Sequence, residues 1–411
     1  MVGVRRTVLL LASVFLAMLL ASGVALGVTP LGDTAEKTDA DATAAARGPD
    51  AALDRALKEL IAMPGGPPGV IAVVQRGQHR EVHAFGAAKL GTQWPRPPRV
   101  DDRMRIASAA KAFSGAVALS LVSKGALSLD DTIEERLSGL PKPPPDDWSE
   151  VTLRQLLNHT SGLPDYTEDP GFLDALRASP AQAPPPEKLL TYVYDHDPPL
   201  LFDSGSKYRY SNSDNIAVAL MVEAATGRSY EGQLQKQVYG PLGLRKTTLP
   251  AGPNLREPYI HGYDLSERPP EDGSELLAAG WAWASGGIVS TPADLNTFIR
   301  AYVRGDLFDL RTRTQQRKVF EGGGSEPPGP GENSAGLGVF RYEMMCGTVW
   351  GHTGNIPGGY TQFMAASPYG SRSATVSVNS RLTPTVGDPE AFKALRRAEG
   401  LAVCAALAGK G

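Results

Sequence analysis

The fold prediction for this chain starts from the stretch Met104-Arg105-Ile106-Ala107-Ser108-Ala109-Ala110-Lys111-Ala112-Phe113-Ser114-Gly115. Within it, Lys111 follows Ser108 by three positions, and good helix formers come next. Positions i and i+3 of a helix share one face, with Cβ atoms about 5–6 Å apart. We therefore expect Ser108 and Lys111 to meet in the first turn of a helix over 104–125, as a nucleophile and its adjacent base do.

A Ser-x-x-Lys pair by itself is weak evidence, because about one such pair arises by chance in a chain of this composition. A second one, Ser204 to Lys207, lies in a polar stretch that contains glycine, which is typical of a turn. The other interpretation of Ser108 is a helix N-terminal serine beside a solvated lysine. The rest of the chain has to decide between them.

The composition indicates a globular protein without a basic binding surface. The chain has 411 residues, of which 42% are hydrophobic and 21% are charged. Its net charge of -3 and its pI of about 6.1 provide no basic surface for nucleic acid or for an anionic membrane. The length allows two or three ordinary domains, or one large domain with an insertion.

The N-terminal residues are typical of an export signal. In residues 1–28, Arg5 and Arg6 precede the apolar run from Val8 to Leu20, and small residues follow. The apolar run is nearly long enough to cross a bilayer, so an uncleaved membrane anchor is the alternative. Residues 29–49 have few large apolar side chains and are expected to form a disordered linker. We expect a secreted or cell-envelope protein.

Apolar periodicity places strands near both ends of the chain and helices between them. The strands are expected at 70–74, 81–85, 336–345, 348–352, 360–367 and 374–379. Helices are expected from Pro49 onward and from Pro389 to Leu407, with more helices in the middle. The sequence therefore predicts one α+β domain over 50–408. An antiparallel sheet from both chain ends would be flanked by helices, with a mostly helical insertion at about 125–285.

Histidine and cysteine spacing argues against a metal site. His79 and His83 fall in a predicted strand, where they would be about 13 Å apart, so we expect surface residues. The chain has two cysteines, Cys346 and Cys404, which are too few for a usual structural zinc site. In an exported protein an even count favours a disulfide, and two free thiols are the alternative. We expect no metal and no cofactor. Residues 321–332, rich in Gly and Pro, are expected to form a mobile loop.

Two further motifs follow Ser108 along the chain. Tyr210-Ser211-Asn212 precedes a helix expected at 214–226, and His352-Thr353-Gly354 lies at the end of a predicted strand. With these motifs the sequence over about 55–405 resembles the serine penicillin-recognising hydrolases. That family includes class C β-lactamases, secreted Streptomyces-type D-alanyl-D-alanine carboxypeptidases and related esterases. The blocks 156–163 and 285–295 also resemble it. The resemblance implies a β-lactamase/transpeptidase-like fold.

Two choices of motif register need a reason. Ser213-Asp214-Asn215 also spells a family motif, but these residues are expected to open the following helix, and a tyrosine hydroxyl at 210 suits proton transfer. His159-Thr160-Ser161-Gly162 is not the third motif, because it follows a predicted helix rather than a strand.

The resemblance implies acyl-enzyme chemistry. Ser108 would attack a carbonyl, and Lys111 would act as a neutral base. A free lysine titrates near 10.4, so its pKa would have to fall by about three to serve at neutral pH. Tyr210 is the alternative base and the expected proton relay to the leaving group. The sequence leaves open which of the two takes the first proton.

The resemblance also assigns substrate contacts. The backbone N–H groups of Ser108 and Asn355 would form an oxyanion hole, and Asn212 would bond the acylamide of the substrate. His352 and Thr353 would face a substrate carboxylate. Gly354 would let the substrate lie along the strand. Trp281 is expected either as a pocket wall or as a plain core residue.

One departure bears on the substrate. Relatives specific for peptides ending in D-alanine tend to carry an arginine in the strand before the third motif, where this chain has Phe340. His352, in place of the lysine commoner in class C enzymes, favours a carboxypeptidase or esterase over a β-lactamase. A Cys346–Cys404 bridge, as in the secreted carboxypeptidases, would join the last helix to the sheet.

We therefore expect an exported serine D-alanyl-D-alanine carboxypeptidase. The alternatives are an esterase or β-lactamase of the same fold, or a non-catalytic penicillin-binding protein. The expected partner is a peptidoglycan-type peptide, a β-lactam or an ester, with no nucleic acid, and with a membrane only if the N-terminal segment stays attached. We expect a monomer.

Overall fold

The computed structural model describes residues 48–266 and 268–409. The predicted signal and residues 29–47 of the predicted linker lie outside the described residues. An eight-stranded antiparallel sheet has the order β2-β1-β12-β11-β10-β9-β8-β7. Its strands are β1 Gly69–Arg76, β2 His79–Gly86, β7 Phe320–Glu321, β8 Glu332–Ala335, β9 Phe340–Met344, β10 Gly347–Ile356, β11 Tyr360–Ala366 and β12 Arg372–Val378. Short strands outside it are β3 Met104–Arg105, β4 Tyr263–Asp264, β5 Glu271–Asp272 and β6 Val289–Ser290.

The helices divide between the chain ends and the middle. They are α1 Pro49–Ala62, α2 Ala110–Ser123, α3 Ile133–Leu137, α4 Leu153–Leu157, α5 Pro170–Ala178, α6 Pro186–Thr191, α7 Asn212–Thr226, α8 Tyr230–Leu234, α9 Gly240–Leu242, α10 Trp283–Gly286, α11 Pro292–Arg304, α12 Leu310–Gln316 and α13 Pro389–Leu407. A π-helical turn, Gln235–Tyr239, joins α8 to α9.

The two chain ends meet in the sheet, which confirms the predicted fold class. Strand β1 pairs antiparallel with β12, with Val70 opposite Val378. Side chains of β1 alternate between two apolar cores, so that Val70 packs with the terminal helices α1 and α13 and Ile71 packs with α2 and α11. Burial on both faces explains why β1 reads as a continuous apolar run rather than an alternating one.

The inserted region packs around two helices that are apolar on nearly all sides. The first ten residues of α7 after Asn212 are buried, as is most of α2. Phe113 of α2 stacks on Phe298 of α11, with ring centroids 3.6 Å apart. A helix that is hydrophobic all round has to be buried, so α2 is enclosed between the sheet and the middle region.

Three local predictions differ from the structure. The predicted 104–125 helix is a short strand, a 3₁₀ turn over Ala107–Ala109 and then α2. Strand β10 continues to Ile356, because it pairs with β11 as far as Tyr360. His83 is 9% exposed and thus not a surface residue, because it faces α1, whereas His79 is exposed as expected.

The 321–332 segment is tied down rather than loose. Tyr342 donates from its hydroxyl to Ser325 Oγ at 3.1 Å, and Arg396 donates to the Pro328 carbonyl at 2.8 Å. Tyr208 donates its hydroxyl hydrogen to the Gly324 carbonyl. These bonds hold the segment against the sheet, which composition alone could not show.

Cys346, in the turn between β9 and β10, forms a disulfide with Cys404 of α13, with a Cα–Cα distance of 5.4 Å. Of the two possibilities for the cysteines, the structure therefore has the bridge. Across residues 48–266 and 268–409, no helix has both the length and the apolar character needed to cross a membrane.

Candidate active site

The Ser108 turn is held between a strand and a helix. Ser108 lies in the 3₁₀ turn that links β3 to α2, and the preceding Ala107 has a φ of 52°. Strand β10 runs directly against this turn, since a Cβ on Gly354 would lie 2.6 Å from the Ile106 carbonyl oxygen and 3.0 Å from the Ser108 nitrogen. Only a glycine allows so close an approach.

Lys111 points from α2 toward Ser108 and two carbonyl oxygens. Its Nζ lies 3.2 Å from Ser108 Oγ, 2.7 Å from Asn212 Oδ1 and 2.7 Å from the Ser285 carbonyl oxygen. The two carbonyl oxygens only accept hydrogen bonds, whereas a serine hydroxyl can also donate. A neutral amine would donate its two N–H groups to the two carbonyl oxygens. Its lone pair would then accept the hydrogen of the Ser108 hydroxyl.

Burial favours that neutral amine. Lys111 is 1% exposed, and its removal from water lowers its pKa to about 7, although the carboxylates of Asp165, Glu326 and Asp214 raise it. Desolvation disfavours the charged form of a lysine. A substantial share of the chains therefore carries an uncharged amine at neutral pH.

Tyr210 lies on the other side of the same amine. The Lys111 Nζ is 5.0 Å from the centre of the Tyr210 ring. The centroids of the Tyr210 and His159 rings are 4.4 Å apart. The Tyr210 hydroxyl is buried and makes no regular hydrogen bond to the described residues. Burial raises its pKa well above the ordinary value, which the nearby Ser108 hydroxyl opposes. Tyr210 is therefore a neutral phenol.

Asn212 is held by Asp165, which no motif in the sequence indicated. The Asp165 carboxylate accepts from the Asn212 backbone N–H at 2.9 Å and from its side-chain amide at 2.8 Å. This fixes Asn212 Oδ1 toward Lys111. The alternative register is not supported, because Ser213 donates to the Pro164 carbonyl and Asp214 faces His159.

The third motif is placed differently from the prediction. His352 and Thr353 are fully buried, so they do not face a substrate carboxylate as expected. Thr353 donates to the Pro327 carbonyl at 2.7 Å, and burial lowers the pKa of His352 to about 3, so its ring is uncharged. Asn355, by contrast, lines the cavity.

Phe340 occupies the space beside His352. Its ring contacts that of His352 edge to face, with centroids 5.1 Å apart. The neighbouring Arg341 does not replace the missing arginine, because its guanidinium pairs with Glu321 and Glu343 at 3.0 Å each.

A second buried pair supports Tyr210. His159 Nδ1 lies 2.7 Å from Asp214 Oδ2, and Ser161 donates to Asp214 Oδ1 at 2.5 Å. Burial lowers the pKa of His159 to about 3 and raises that of Asp214 well above its ordinary value. His159 is therefore an uncharged imidazole, and it faces an acid whose charged form is disfavoured by burial. The 156–163 block signalled it in the sequence, but only by family resemblance.

A cavity of about 710 Å³ opens over Ser108. Trp281 lines it and is 6% exposed, so it serves both as a wall and as a core residue. Its ring meets Phe172 edge to face at 5.5 Å. Charged groups in the lining are Arg105, Asp165, Glu168, Lys207, Arg209, Glu326 and Arg381. This size suits a small amide or a short peptide.

Glu326 is the acidic residue of the cavity lining whose carboxylate is available to contact a ligand. Its side chain is exposed, and it makes no hydrogen bond or ion pair with the described part of the chain. Glu168, in contrast, pairs with Arg209 at 2.9 Å. The enclosing walls and the charges of Asp165 and Glu168 raise the pKa of Glu326 to about 7. No pattern in the sequence marked Glu326, since only the fold brings its loop to Ser108.

Arg381 marks the Asn355 side of the cavity. Its Nε donates to Asn355 Oδ1 at 2.9 Å, and burial lowers its pKa to about 10, so it stays cationic at neutral pH. Arg105 also lines the cavity, but it donates to the carbonyls of Ser274 and Leu277 at 2.9 and 3.0 Å.

The chain is similar to known serine hydrolases along most of its length. The sequence profile described as Beta-lactamase matches residues 53–398. The D-alanyl-D-alanine-carboxypeptidase/endopeptidase AmpH of Escherichia coli (strain K12) is 27% identical over 261 residues, 62% of each chain. The D-aminopeptidase of Brucella anthropi is 34% identical over 193 residues, 45% of this chain and 33% of that protein. The chain thus spans between about a third and three fifths of these relatives' lengths.

A solved structure of similar extent has the same fold. The D-stereospecific amidohydrolase from Streptomyces sp. superposes with a TM-score of 0.71 at 30% sequence identity. The match covers 84% of this chain and 97% of that one. The similarity therefore extends over the sheet, the middle helices and the Ser108 turn together.

Proposed function

We propose that the chain, which belongs to the Beta-lactamase family, is an exported amidohydrolase. The relatives it matches make it a penicillin-binding-protein-like serine hydrolase. It would cleave an amide bond beside a D-configured residue through an acyl-enzyme on Ser108. The contact of Lys111 with Ser108 and two carbonyl oxygens carries this proposal. Export is supported by the charged start and apolar run of residues 1–28.

In the proposed mechanism, neutral Lys111 takes the hydroxyl proton as Ser108 Oγ attacks the amide carbonyl carbon. The backbone N–H groups of Ser108 and Asn355 stabilise the oxyanion. Tyr210 is suited to relaying that proton, because its raised pKa keeps it protonated until the C–N bond breaks. As its hydroxyl proton passes to the leaving nitrogen, Tyr210 takes up the proton held by Lys111, so the amine leaves and both side chains return to their starting states. Water then hydrolyses the ester, which releases the acid and restores Ser108.

The charges of the cavity support a substrate with a free amino group. Glu326 is open to a ligand, whereas His352 is uncharged and Phe340 replaces the arginine of carboxylate-specific relatives. An ammonium group bonded to a carboxylate gains a charge-assisted hydrogen bond of about 1.5–3 kcal/mol. The D-aminopeptidase and D-stereospecific amidohydrolase relatives are consistent with this substrate class by name.

A D-alanyl-D-alanine carboxypeptidase is the second candidate. Arg381 lines the cavity beside Asn355 and could hold a substrate carboxylate there. The AmpH relative carries this activity in its name. A carboxylate bound by Arg381 would place the substrate on the Asn355 side of the cavity.

One set of substrates separates these functions. We expect the mature chain to hydrolyse D-phenylalaninamide with a kcat/KM well above that for the L-enantiomer. N-acetyl-D-phenylalaninamide, diacetyl-Lys-D-Ala-D-Ala, nitrocefin and p-nitrophenyl acetate test the other activities. Ser108→Ala should abolish all turnover. Faster cleavage of the D-Ala-D-Ala peptide than of the D-amide would favour the second candidate instead, and no turnover of any substrate would refute an enzyme.

Glu326→Gln tests the amine contact within the same assay. It should reduce kcat/KM for the free D-amide by about ten- to a hundred-fold, while leaving that for the N-acetylated D-amide unchanged when both are measured at a pH above the Lys111 titration. Glu332→Gln, an exposed residue of β8 outside the cavity, is the matched control. Equal effects of Glu326→Gln on both substrates would contradict recognition of the amine.

A further inference from the structure

A cluster of acids and a histidine lies outside the candidate active site, where α1 faces the edge strand β2. Asp50 and Asp54 are four apart on α1, and Glu81 and His83 are two apart on β2, so each pair lies on one face. One ligand atom from each of Asp50, Glu81 and His83 lies within 4.8 Å of the others.

The His83 side chain has a buried ring nitrogen that faces the carboxylates of this cluster. Only 10% of it is exposed, and its Nδ1 lies 2.6 Å from Asp54 Oδ1. A hydrogen on Nδ1 donated to Asp54 leaves Nε2 with its lone pair. Nε2 is buried and has no hydrogen-bond partner among the described residues. It faces Asp50 Oδ1 at 4.0 Å and Glu81 Oε2 at 3.9 Å.

The carboxylates of this cluster outnumber the arginine that pairs with them. A lone pair that faces two carboxylate oxygens is repelled unless a cation stands between them. Arg76 pairs with Asp50 Oδ1, the same atom that faces His83, and with Glu81 Oε1, so it neutralises one of the three charges of Asp50, Asp54 and Glu81. Counted over these three carboxylates and Arg76, the net charge is −2, which one divalent cation would balance.

The spacing also suits a metal ion. Ligands about 2.0–2.2 Å from a zinc ion lie about 3.3–3.7 Å from one another. The two distances from His83 Nε2 need to contract by only a few tenths of an ångström. A carboxylate that bonds the far nitrogen of a ligating histidine is the usual support of such a ligand, and Asp54 is placed to provide it.

We propose that Asp50, Glu81 and His83 bind a divalent transition-metal cation of the zinc type, with Asp54 orienting His83. One imidazole and two carboxylates are donors that suit Zn²⁺, whereas Ca²⁺ and Mg²⁺ prefer oxygen ligands alone. The ion joins the start of α1 to the exposed sheet edge. Its role is structural and independent of the hydrolase chemistry.

Zinc titration of the EDTA-dialysed full chain tests this site by calorimetry. We expect one Zn²⁺ per chain and a higher Tm with saturating zinc. His83→Ala should abolish binding, and Asp54→Asn should weaken it by about ten- to a hundred-fold. His196→Ala is the matched control, because His196 is exposed and bonds only the Pro198 carbonyl. Circular dichroism without zinc checks that each variant folds.

Glu81→Gln provides a second variant, because it alters a partly exposed carboxylate rather than a buried ring. It should weaken zinc binding without loss of the fold. The proposal is overturned if the wild-type chain shows no saturable zinc binding, or if His83→Ala and Glu81→Gln bind zinc as the wild type does. If His79→Ala were the one variant of this set that lost zinc binding, the ligand assignment would be overturned.

Discussion

At Lys111, three oxygen atoms surround one buried amine. Two of them belong to carbonyl groups, and the third is the Ser108 hydroxyl. Desolvation of Lys111 outweighs the attraction of nearby carboxylates, so its pKa falls to about 7. The same environment raises the pKa of Tyr210. The amine can therefore accept a proton near neutral pH, whereas the phenol stays protonated in the resting enzyme.

The pH dependence of acylation follows from these two groups. Only neutral Lys111 accepts a proton, so kcat/KM should rise as pH increases through about 7. Because the Glu326 carboxylate raises the pKa of Lys111, Glu326→Gln should move this rise to lower pH. Glu332→Gln should leave it in place. A pH–rate profile with the N-acetylated D-amide measures both effects.

Glu326 itself has a pKa raised to about 7, so the two groups titrate as a coupled pair. The direction of the change distinguishes them. If the rise in rate came from ionisation of Glu326, the Gln variant would lose its pH dependence near 7. A profile that is retained but displaced assigns the rise to Lys111.

Among the elements, strand β10 and the Ser108 turn depend on each other. Gly354 has neither a side chain nor room for one, since its Cβ position meets Ile106 O, Ala109 N and Ser108 N within 3.0 Å. The Ser108 nitrogen of the 3₁₀ turn lies beside the same strand, 3.0 Å from that Cβ position. The two proposed oxyanion donors therefore keep their spacing only while β10 lies against the turn.

Gly354→Ala should separate these two elements. The added methyl group would push β10 from the turn, and kcat should fall by about 10²–10³, as when one oxyanion donor is lost. Gly400→Ala in α13 is the matched control, because its Cβ would meet only Met344 Cε at 3.8 Å. The control should keep full activity. Unchanged turnover by Gly354→Ala would show that β10 can move away from the Ser108 turn without loss of activity.

At the scale of the whole molecule, both ends of the chain close the same sheet. Strand β1 lies between β2 and β12, and α1 and α13 cover one face of that sheet together. The Cys346–Cys404 bridge joins α13 to the turn before β10 across 58 residues of chain. Such a link restricts the unfolded chain far more than it changes the folded one.

Removing that bridge should therefore lower stability without altering the site. The double variant Cys346→Ala, Cys404→Ala should lose about 2–4 kcal/mol of unfolding free energy. Urea unfolding followed by fluorescence measures the loss. Neither cysteine lines the cavity, so kcat/KM of the folded variant should equal that of the oxidised wild type. A fall in kcat/KM at constant fold would show that α13 helps to position β10.

Local patterns in the sequence were sufficient for the fold class. Apolar runs with helix and strand periodicity located the sheet strands and the terminal helices, because burial of a face imposes its period on the sequence. The Ser-x-x-Lys spacing brought Ser108 near Lys111, because three residues span one turn in the 3₁₀ and α geometries alike. Element ends were less accurate, since the pairing of β10 with β11 decides where β10 stops.

Contacts between distant segments were decided by the tertiary structure alone. Asp165, Glu326 and Asp214 are far apart in the chain, yet their charges all act on Lys111. Packing against Phe340 holds the His352 ring in the core, which its position in a motif did not reveal. Short-range order follows from the sequence because neighbouring residues share one backbone geometry. Desolvation and long-range charge depend on which segments the fold brings together, and these set the pKa of Lys111.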